Sequence, residues 1–254
     1  MDLPRNAFKR GLAEGRPQIG LWSQLASGMV AEIIGGCGFD WIVLDMEHGP
    51  NEVASVIAQL QAMQKGTATA VVRPPWNDPV ITKRLLDSGA TALLFPFVQN
   101  REEAERAVAS TRYPPKGFRG VASVTRASGF GRVKNYLANA SSEICVLVQV
   151  ETKSALDRLE EIAGVDGVDG VFIGPSDLAA ALGHLGNAAH PEVQAAIMGA
   201  VQRLKKLGKP AGILTSVVAD AQRYLDAGYQ FVACGTDVGL LARGGEALAQ
   251  TFKK

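Results

Sequence analysis

The stretch EIIGGCGFDWIVLD (residues 32–45) ends one structural element and begins another. Its first part is typical of the end of an amphipathic helix, glycines follow, and an apolar run suited to a buried strand completes it. LLDSGATALLFP (85–96) and YLDAGYQFVACG (224–235) repeat the same order. The repetition predicts successive βα units, in which each helix ends at a glycine and leads into a strand.

Eight apolar runs of strand length occur along the chain, separated by segments of helical period. The predicted strands are residues 18–24, 41–47, 69–74, 92–98, 145–151, 170–176, 210–216 and 231–237. The clearest predicted helices are residues 51–64, 100–113, 152–164 and 191–208. Eight units in 254 residues predict one α/β domain, residues 1–254, folded as a (β/α)8 TIM barrel with an N-terminal helix and a C-terminal helix. A doubly wound sheet is the alternative, but its usual GxGxxG turn does not follow the first strand.

The composition argues against several classes of partner. The chain carries 26 basic and 25 acidic residues, so we expect neither nucleic acid nor a membrane surface as partner. No apolar run approaches the roughly 18 residues that span a bilayer, and the N-terminal segment has no signal-peptide core. Cys37, Cys145 and Cys234 show no paired spacing and indicate a reduced protein. We therefore expect a soluble cytoplasmic protein.

Polar side chains follow most of the predicted strands at their carboxyl ends, where a barrel of this kind forms its active site. They would place an imidazole, a guanidinium and several carboxylates at one mouth. The residues are Asp45, Glu47, His48, Arg73, Gln149, Glu151, Gly174, Ser176, Asp177, Thr215, Ser216, Thr236 and Asp237. This mouth is the predicted functional site.

Glu151 and Asp177 are the carboxylates that most suggest a metal ion. A carboxylate that closes a buried strand is costly to desolvate unless it is paired, hydrogen-bonded or bound to a metal. Two of them on adjacent strands would repel each other, and a divalent cation would remove that repulsion. An all-oxygen site suits Mg²⁺, Mn²⁺ or Co²⁺. The alternative is that each residue caps the helix that follows it.

Arg73 and His48 are the candidates for charge stabilisation and proton transfer. Arg73 is permanently charged and forks to carboxylates, so it suits an anionic substrate or an enolate. The alternative for Arg73 is an ion pair with Asp45 or Glu47. His48 follows a buried strand and has acids nearby, although an isolated histidine is more often structural than catalytic.

Other patterns narrow the chemistry. None of the eight predicted strands contains a lysine, which disfavours an aldolase that forms a Schiff base. The sequence also lacks a Walker A loop, an HExxH zinc motif and a GxSxG elbow. His184 and His190 lie in the polar loop GHLGNAAH and are interpreted as structural or incidental.

Residues 114–135 form the one long irregular segment of the predicted fold. It carries five cationic side chains interleaved with Ser, Thr and Phe. Long loops in compact domains are usually functional or disordered. The segment predicts either an ordered lid near an anionic substrate or a solvated surface loop.

These residues lie in motifs that resemble the HpcH/HpaI family of class II pyruvate aldolases, most closely the 4-hydroxy-2-oxoheptanedioate aldolases. The resemblance runs from about Gln18 to Lys254. DMEHGPN and GPSDL, in the correct order and spacing, are its most specific signal. The motifs are GLW at 20–22, DMEHGPN at 45–51, VRP at 72–74, RYPPKGFRGV at 112–121, LVQVE at 147–151, GVFIGPSDLAAALG at 170–183 and HPEVQ at 190–194.

The resemblance implies a role for each matching residue. It implies metal-dependent cleavage of 4-hydroxy-2-oxo acids into an aldehyde and pyruvate, or an analogue such as hydroxypyruvate. Glu151 and Asp177 would hold the metal, Arg73 would stabilise the enolate oxygen, and His48 would move the hydroxyl proton through water. Asp45 matches a family acid near the histidine. The implied substrate-binding residues are Trp22, Arg73, Gln149, Gly174, Ser176 and Asp177.

The resemblance also implies an assembly. The family is typically hexameric, a dimer of trimers, with C-terminal helices exchanged between subunits. Asp87 matches the acid that raises the basicity of the histidine, yet the predicted helix places it on the order of 14 Å along the helix from the mouth. We expect either a different helix boundary or a site shared with a neighbouring subunit.

The sequence leaves open which aldehyde the protein would release, and it leaves two alternative functions open. The loop 126–135 and the ends of strands seven and eight depart from the dicarboxylate-cleaving members, so the aldehyde is not defined. A CoA-ester lyase of the citryl or malyl type uses a related barrel and similar metal chemistry. A non-catalytic sugar-acid-binding paralogue would keep the barrel without the reaction.

Overall fold

The computed structural model describes residues 1–253 and shows a closed barrel of eight parallel strands in sequence order. This confirms the predicted (β/α)8 TIM barrel. The strands are β1 Gln18–Ser23, β2 Trp41–Asp45, β3 Thr69–Arg73, β4 Ala92–Phe95, β5 Cys145–Val150, β6 Gly170–Ile173, β7 Ala211–Leu214 and β8 Phe231–Thr236. Each strand pairs in parallel with the next, and β8 closes onto β1.

Helices precede, connect and follow the strands. The helices are α1 Ala7–Ala13, α2 Gly28–Gly35, α3 Val53–Ala62, α4 Pro79–Asp87, α5 Arg101–Ser110, α6 Tyr136–Glu143, α7 Lys153–Asp157, α8 Leu159–Ala163, α9 Pro175–Ala181, α10 Pro191–Lys206, α11 Val218–Ala227 and α12 Asp237–Phe252, with a 3₁₀ turn at Met63–Lys65. Helix α1 is the predicted N-terminal helix and α12 the predicted C-terminal helix. The predicted helix 152–164 is two short helices, α7 and α8.

The helix-to-strand turns are as the sequence predicted. After α4 the left-handed residue is Gly89, with φ +96°, and after α11 it is Gly228, with φ +105°. After α2 the left-handed residue is Gly38, at φ +93°, three residues beyond the helix end. Glycine adopts these angles without the penalty that a Cβ atom brings. Each turn therefore reverses the chain directly into the next strand.

Aromatic side chains fill the lower part of the barrel. Phe8 of α1 is fully buried, and its ring centroid lies 5.5 Å from that of Trp41 and 5.8 Å from that of Phe231. A Cβ atom at Gly20 would overlap the Trp41 ring, and one at Gly212 would overlap the Phe231 ring. Because α1 and these rings close the amino-terminal end, substrate access is left to the carboxyl ends of the strands.

The irregular segment 114–135 packs against the closed end. Arg119 is 1% exposed and donates a hydrogen bond to Asp87 Oδ1 at 2.6 Å, and its guanidinium lies 4.5 Å from the Tyr113 ring. Arg126 donates to the Ser88 carbonyl at 2.8 Å. Helix α4 runs antiparallel to the strands, so its last residues lie far from the mouth. Within one chain, the segment is not a lid over that chain's own mouth.

Cysteine state and helix length also bear on the sequence analysis. Cys37, Cys145 and Cys234 are free thiols in the structure. Across residues 1–253, every helix is too short or too polar to cross a membrane.

Candidate active site

A cavity of about 590 Å³ opens at the carboxyl ends of the strands. It brings together most of the side chains that the sequence singled out, from seven different strand ends. Of the predicted site residues, those that line it are Trp22, His48, Arg73, Gln149, Glu151, Gly174, Ser176, Asp177, Thr215, Ser216 and Thr236. Asp45 lies beneath this surface, completely buried. Asp87 lies elsewhere.

Asp45 and Arg73 form a two-pronged ion pair at the ends of neighbouring strands. They are partners in the register of β2 and β3, so their side chains emerge side by side. Arg73 Nε donates to Asp45 Oδ1 at 2.9 Å, and Arg73 Nη2 donates to Asp45 Oδ2 at 2.7 Å. This fork fixes the plane of the guanidinium. The ion pair that the sequence offered as an alternative role for Arg73 is present.

Asp45 is surrounded by hydrogen-bond donors. Trp22 Nε1 and Gln24 Nε2 donate to Oδ2, and the backbone N–H groups of Glu47 and His48 donate to Oδ1. Burial alone would raise the pKa of Asp45, but these bonds and the charge of Arg73 lower it. Asp45 therefore stays ionised and positions Arg73 and the start of the 46–51 loop.

Arg73 faces the cavity from this anchor. Its guanidinium carbon lies 4.8 Å from the centre of the Trp22 ring, and Nη1 donates to Gln149 Oε1 at 3.4 Å. Nη1 also lies 2.6 Å from Glu47 Oε2. That contact is an ion pair without hydrogen-bond geometry, because no donor among the described residues reaches Glu47 Oε2. The cationic group is thus fixed in orientation at the cavity wall.

Glu151 follows β5 and is 2% exposed. Its Oε1 accepts from the Phe97 backbone N–H at 2.8 Å, and its Oε2 accepts from Gln149 Nε2 at 2.6 Å. Burial, together with the charges of Asp177 and Glu47, raises the pKa of Glu151 to about 7 against the opposing Phe97 bond and the charge of Arg73. Unlike Asp45, this carboxylate has no cation in contact with it among the described residues.

Two backbone features accommodate the Glu151 carboxylate, one by donating a hydrogen bond and one by leaving space. Phe97 has φ +54°, an unfavourable angle for a residue with a side chain, and this turn aims its N–H at the carboxylate. Gly174 lies at the end of β6, where a Cβ atom would overlap Glu151 Oε2. The sequence placed Gly174 in the site, and its contribution is space for the neighbouring carboxylate.

Asp177 and Glu47 add negative charge around Glu151. Asp177 lies in the first turn of α9, exposed to the cavity. Burial raises the pKa of Glu47 despite Arg73, and the charges of Asp45 and Asp177 raise it further. The sequence placed Glu47 at the mouth, as an alternative partner of Arg73, and it did not predict Gln24 or Phe97 in the site. The role of Phe97 depends on a loop conformation that no sequence pattern marks.

A divalent metal ion fits the residues present. The charge of Asp177 raises the pKa values of Glu47 and Glu151, the charge of Glu47 also raises that of Glu151, and Arg73 is already paired with Asp45. The donor atoms are carboxylate oxygens, which hard cations prefer. A divalent ion beside Glu151 would replace the proton that its raised pKa retains.

His48 and Ser176 lie at the rim. His48 is exposed, and the described residues make no hydrogen bond to its ring nitrogens, so the ring is free to meet solvent and a ligand. Ser176 is exposed at the start of α9. Their positions on opposite sides of the mouth, after β2 and after β6, leave the cavity between them.

Asp87 does not line this cavity. It is the last residue of α4, and its Oδ1 accepts from Arg119. Nine helical residues separate it from the mouth, about 13 Å. Asp87 therefore does lie at the far end of this helix, so a different helix boundary is not the explanation, and within one chain Asp87 is apart from His48. Its pairing with a histidine of a neighbouring subunit stays a prediction.

The sequence of the chain is similar to those of one known family. Residues 18–244 match the model of the HpcH/HpaI aldolase/citrate lyase family. The chain belongs to this family. It is 57% identical to a pyruvate aldolase of Rhizobium etli over 252 residues, 99% of each chain. It is 55% identical to a 4-hydroxy-2-oxo-heptane-1,7-dioate aldolase of Salmonella heidelberg over 249 residues, 98% of this chain and 95% of the relative.

Solved structures show the same barrel. An HpcH/HpaI aldolase/citrate lyase family protein of Burkholderia cenocepacia is 39% identical, with a TM-score of 0.95 over 98% of this chain and 100% of that one. A citrate lyase beta subunit from M. tuberculosis, complexed with oxaloacetate and magnesium, has a TM-score of 0.59 at 16% identity, covering 89% and 93%. The second likeness extends to the fold alone.

Proposed function

We propose that the protein is a metal-dependent aldolase that reversibly cleaves 4-hydroxy-2-oxo acids into an aldehyde and pyruvate, or a pyruvate analogue such as hydroxypyruvate. The observation that carries this proposal is the uncompensated buried carboxylate Glu151 beside a fixed, cavity-facing Arg73. Full-length aldolase relatives at 55–57% identity support it. The citrate lyase structures are more distant, and Glu151, Asp177, Arg73 and His48 all face one cavity, which argues against a non-catalytic paralogue.

Glu151 and Asp177 would hold the metal, which is Mg²⁺, Mn²⁺ or Co²⁺. When bound, it supplies Lewis acidity toward the 2-oxo acid. Glu151 is held in place by the Phe97 N–H and the Gln149 amide, so it needs no rearrangement to present an oxygen to the ion. Gly174 keeps the space above this carboxylate open.

Arg73 would stabilise the enolate of the 2-oxo acid. Its Nε and one Nη2 hydrogen are committed to Asp45 and Nη1 meets Gln149, which leaves further N–H groups of the five for an anionic oxygen. The Asp45 fork and the Trp22 ring fix the guanidinium before substrate binds. A preorganised cation at the developing charge lowers the barrier without reorganisation during the reaction.

His48 would move the proton of the 4-hydroxyl. In cleavage, the hydroxyl proton passes to His48 through a water molecule, the C3–C4 bond breaks, and its electron pair becomes the enolate that Arg73 stabilises. Protonation of the enolate at C3 then gives the 2-oxo acid. The eight strands contain no lysine, so the alternative of a Schiff base from a strand has no residue to form it.

The cavity wall at the end of β7 suits an uncharged aldehyde. It is formed by Leu214, the last residue of β7, and by Thr215, Ser216 and Val217 after it, all neutral side chains; the charge of Asp220, which also lines the cavity, is paired with Arg223. We therefore propose the pyruvate half at Arg73 and Gln149, and the aldehyde half against the β7 end.

The chain would work as a homo-oligomer, a hexamer built as a dimer of trimers. Helix α12 exposes Leu240, Leu241, Leu248 and Phe252 at 60–80% of their surfaces, an apolar face that a second copy would cover. Exchange of α12 between subunits would bury this face. Asp87 of one subunit would then act beside His48 of another.

The test is a cleavage assay on a 4-hydroxy-2-oxo acid, with pyruvate release followed by a coupled reduction. Activity should require added Mg²⁺, Mn²⁺ or Co²⁺, disappear with chelator, and fall strongly in His48→Ala and Arg73→Ala. The proposal would be overturned if chelator-treated protein kept its activity, or if His48→Ala and Arg73→Ala cleaved the substrate as fast as the wild type. Size-exclusion chromatography with light scattering measures the assembly; a monomer would overturn the shared-site arrangement while leaving the reaction.

A further inference from the structure

A second group of metal-binding side chains lies on the connection between α9 and α10. His184, His190 and Glu192 place their potential ligand atoms within 4.8 Å of one another, the one such group of three among residues 1–253. His184 Nε2 lies 2.7 Å from Glu192 Oε2. The two imidazole rings stack, with centroids 3.5 Å apart and planes 16° from parallel. The sequence had assigned both histidines a structural or incidental role.

The connection holds these side chains in place through its own backbone. The His184 N–H donates to the Ala179 carbonyl at 2.8 Å, and the Asn187 N–H donates back to the His184 carbonyl at 2.9 Å. The His190 N–H donates to the Asn187 carbonyl at 3.1 Å, and Pro191 begins α10. The three donors therefore converge from a closed, hydrogen-bonded loop and from the first turn of a 16-residue helix.

The donor set defines the class of ligand. Two imidazole nitrogens and one carboxylate oxygen suit Zn²⁺ and its neighbours Co²⁺, Ni²⁺ and Cu²⁺, whereas Mg²⁺ prefers oxygen donors alone. We propose that His184, His190 and Glu192 bind one divalent transition-metal ion, Zn²⁺ fitting best, at a site separate from Glu151 and Asp177. Three protein donors leave a fourth position for water. This site does not depend on the proposed aldolase reaction.

A bound ion would replace the His184–Glu192 hydrogen bond and satisfy the charge of Glu192, and the two stacked rings would turn apart to reach it. An imidazole nitrogen binds a metal in the plane of its own ring, and two nearly parallel rings whose centroids lie 3.5 Å apart share no in-plane position for one ion. Binding has a further cost. His190 Nδ1 accepts the Glu192 N–H as the N-cap of α10 at 3.3 Å, and coordination takes the imidazole lone pair that accepts this bond. At 3.3 Å the bond is a long one.

The ion would fix part of the active-site wall. Ala188, Ala189 and Gln194 line the cavity, and Gln194 Nε2 donates to the Ala188 carbonyl at 2.7 Å. His184 precedes this piece of chain and His190 follows it. A metal bound to both histidines closes residues 184–190 into a ring and holds the cavity wall near Ser176.

The test counts Zn²⁺ on the full chain by equilibrium dialysis with ZnCl₂ in excess MgCl₂. His190→Asn is the sharpest variant, because asparagine keeps an N-cap acceptor for α10 while removing the imidazole. We expect His190→Asn and His184→Asn each to lose about one bound Zn²⁺ per chain or to bind it at least about 10-fold more weakly. His48→Ala is the control for the third histidine and should keep this Zn²⁺.

Hydrogen exchange supplies an independent readout. ZnCl₂ should slow exchange of the amides of residues 184–190 in the wild-type chain and leave them unchanged in His190→Asn, while thermal unfolding shows that the variant is folded. Equal Zn²⁺ binding by the wild type and His190→Asn, or no Zn²⁺ bound by the wild type, would overturn the site. Neither result bears on pyruvate formation, so failure of this site and failure of the aldolase proposal are distinguishable.

Discussion

The two sides of the barrel mouth bury carboxylates in opposite ways. On the β2–β3 side, Asp45 is fully buried, forks to Arg73 and receives further hydrogen bonds, and its pKa is lowered. On the β5–β6 side, Glu151 is equally buried, has two hydrogen bonds and no cation, and its pKa is raised to about 7. Gln149 links the sides, accepting from Arg73 and donating to Glu151.

The charge of Asp45 is balanced by Arg73, whereas that of Glu151 is not balanced by any cation in contact with it among the described residues. The Asp45–Arg73 pair needs nothing further and serves to orient a cation. Glu151, with Asp177 and Glu47 nearby, has a pKa of about 7, so near neutral pH about half of the Glu151 carboxyl groups carry a proton that a cation would replace. We therefore expect substitutions on the first side to act mainly on stability and orientation, and those on the second to act on metal binding and rate.

The largest expected effect is on the rate in Glu151→Gln. The amide keeps the shape and an acceptor for the Phe97 N–H but loses the ligand charge, so metal-dependent kcat/KM should fall roughly 10³- to 10⁴-fold. Steady-state cleavage kinetics at saturating metal measure this. The matched control is Asp220→Asn, a carboxylate at the rim of the same cavity that is paired with Arg223; its rate should stay within about twofold. Comparable losses in both variants would contradict the assignment.

Next is the stability of Asp45→Asn. The amide NH₂ would face the N–H donors of Arg73 or Trp22 and leave a buried cation poorly compensated, so the free energy of unfolding should fall by about 3–5 kcal/mol. Urea denaturation measures it. Asp157→Asn is the control, because Asp157 pairs with Lys153 on the exposed surface; that pair is worth about 0.5 kcal/mol. Similar losses in the two variants would show that the buried fork is not special.

The pH dependence of stability tests the other side. Glu151 has a folded pKa of about 7 against 4.5 for its ordinary value, so between these pH values the folded chain binds more protons than the unfolded chain. Its contribution to the free energy of unfolding therefore falls as pH rises from 4.5 to 7, by roughly 3 kcal/mol. Urea denaturation of metal-free protein at pH 5 and pH 8 measures the change.

Glu151→Gln is the control for this pH effect, since the amide does not titrate. Between pH 5 and pH 8, the free energy of unfolding should fall by roughly 3 kcal/mol less in the variant than in the wild type. Mg²⁺ should restore the stability of the wild type at pH 8. An identical pH dependence in both proteins would mean that Glu151 carries its charge without cost in the metal-free chain.

The smallest expected effect is that of Trp22→Phe. The phenyl ring still covers Arg73, but the N–H bond to Asp45 Oδ2 at 3.1 Å is lost, one of several on that carboxylate. We expect kcat/KM to fall about 3- to 10-fold and stability by about 1 kcal/mol. Trp76→Phe is the control, since the Trp76 ring is 55% exposed. If kcat/KM of Trp22→Phe fell nearly as far as that of Glu151→Gln, the β2–β3 and β5–β6 sides of the mouth would not act separately.

Much of the fold and most of the cavity were predictable from the sequence. The strands and helices are marked by local patterns of apolar residues, and a barrel of parallel strands then brings all the strand ends together. Apolar runs of strand length, separated by segments with the 3.6-residue helical pattern, placed every strand, and parallel pairing brought the strand ends to one edge. Predicted strand ends ran too far. The prediction 92–98 exceeds β4, which ends at Phe95, because Val98 is fully buried although it lies in the loop.

What sequence could not predict depends on irregular backbone. The N–H of Phe97 reaches Glu151 only through a left-handed residue, and no pattern distinguishes that phenylalanine from its neighbours. Arg119 was read as part of a lid or solvated loop, yet it is buried against Asp87 and Tyr113. Segment 114–135 has no period, so its packing is set by tertiary contacts alone.

The most direct test of the central claim is deuterium exchange into the methyl group of pyruvate, followed by NMR without any aldehyde. The account predicts exchange with Mg²⁺ or Mn²⁺, none with chelator, and a loss of roughly 10³-fold in Glu151→Gln. That result would establish enolate formation on the uncompensated side of the mouth. Wild-type protein that fails to exchange when loaded with metal, or Glu151→Gln that exchanges at the wild-type rate, would contradict it.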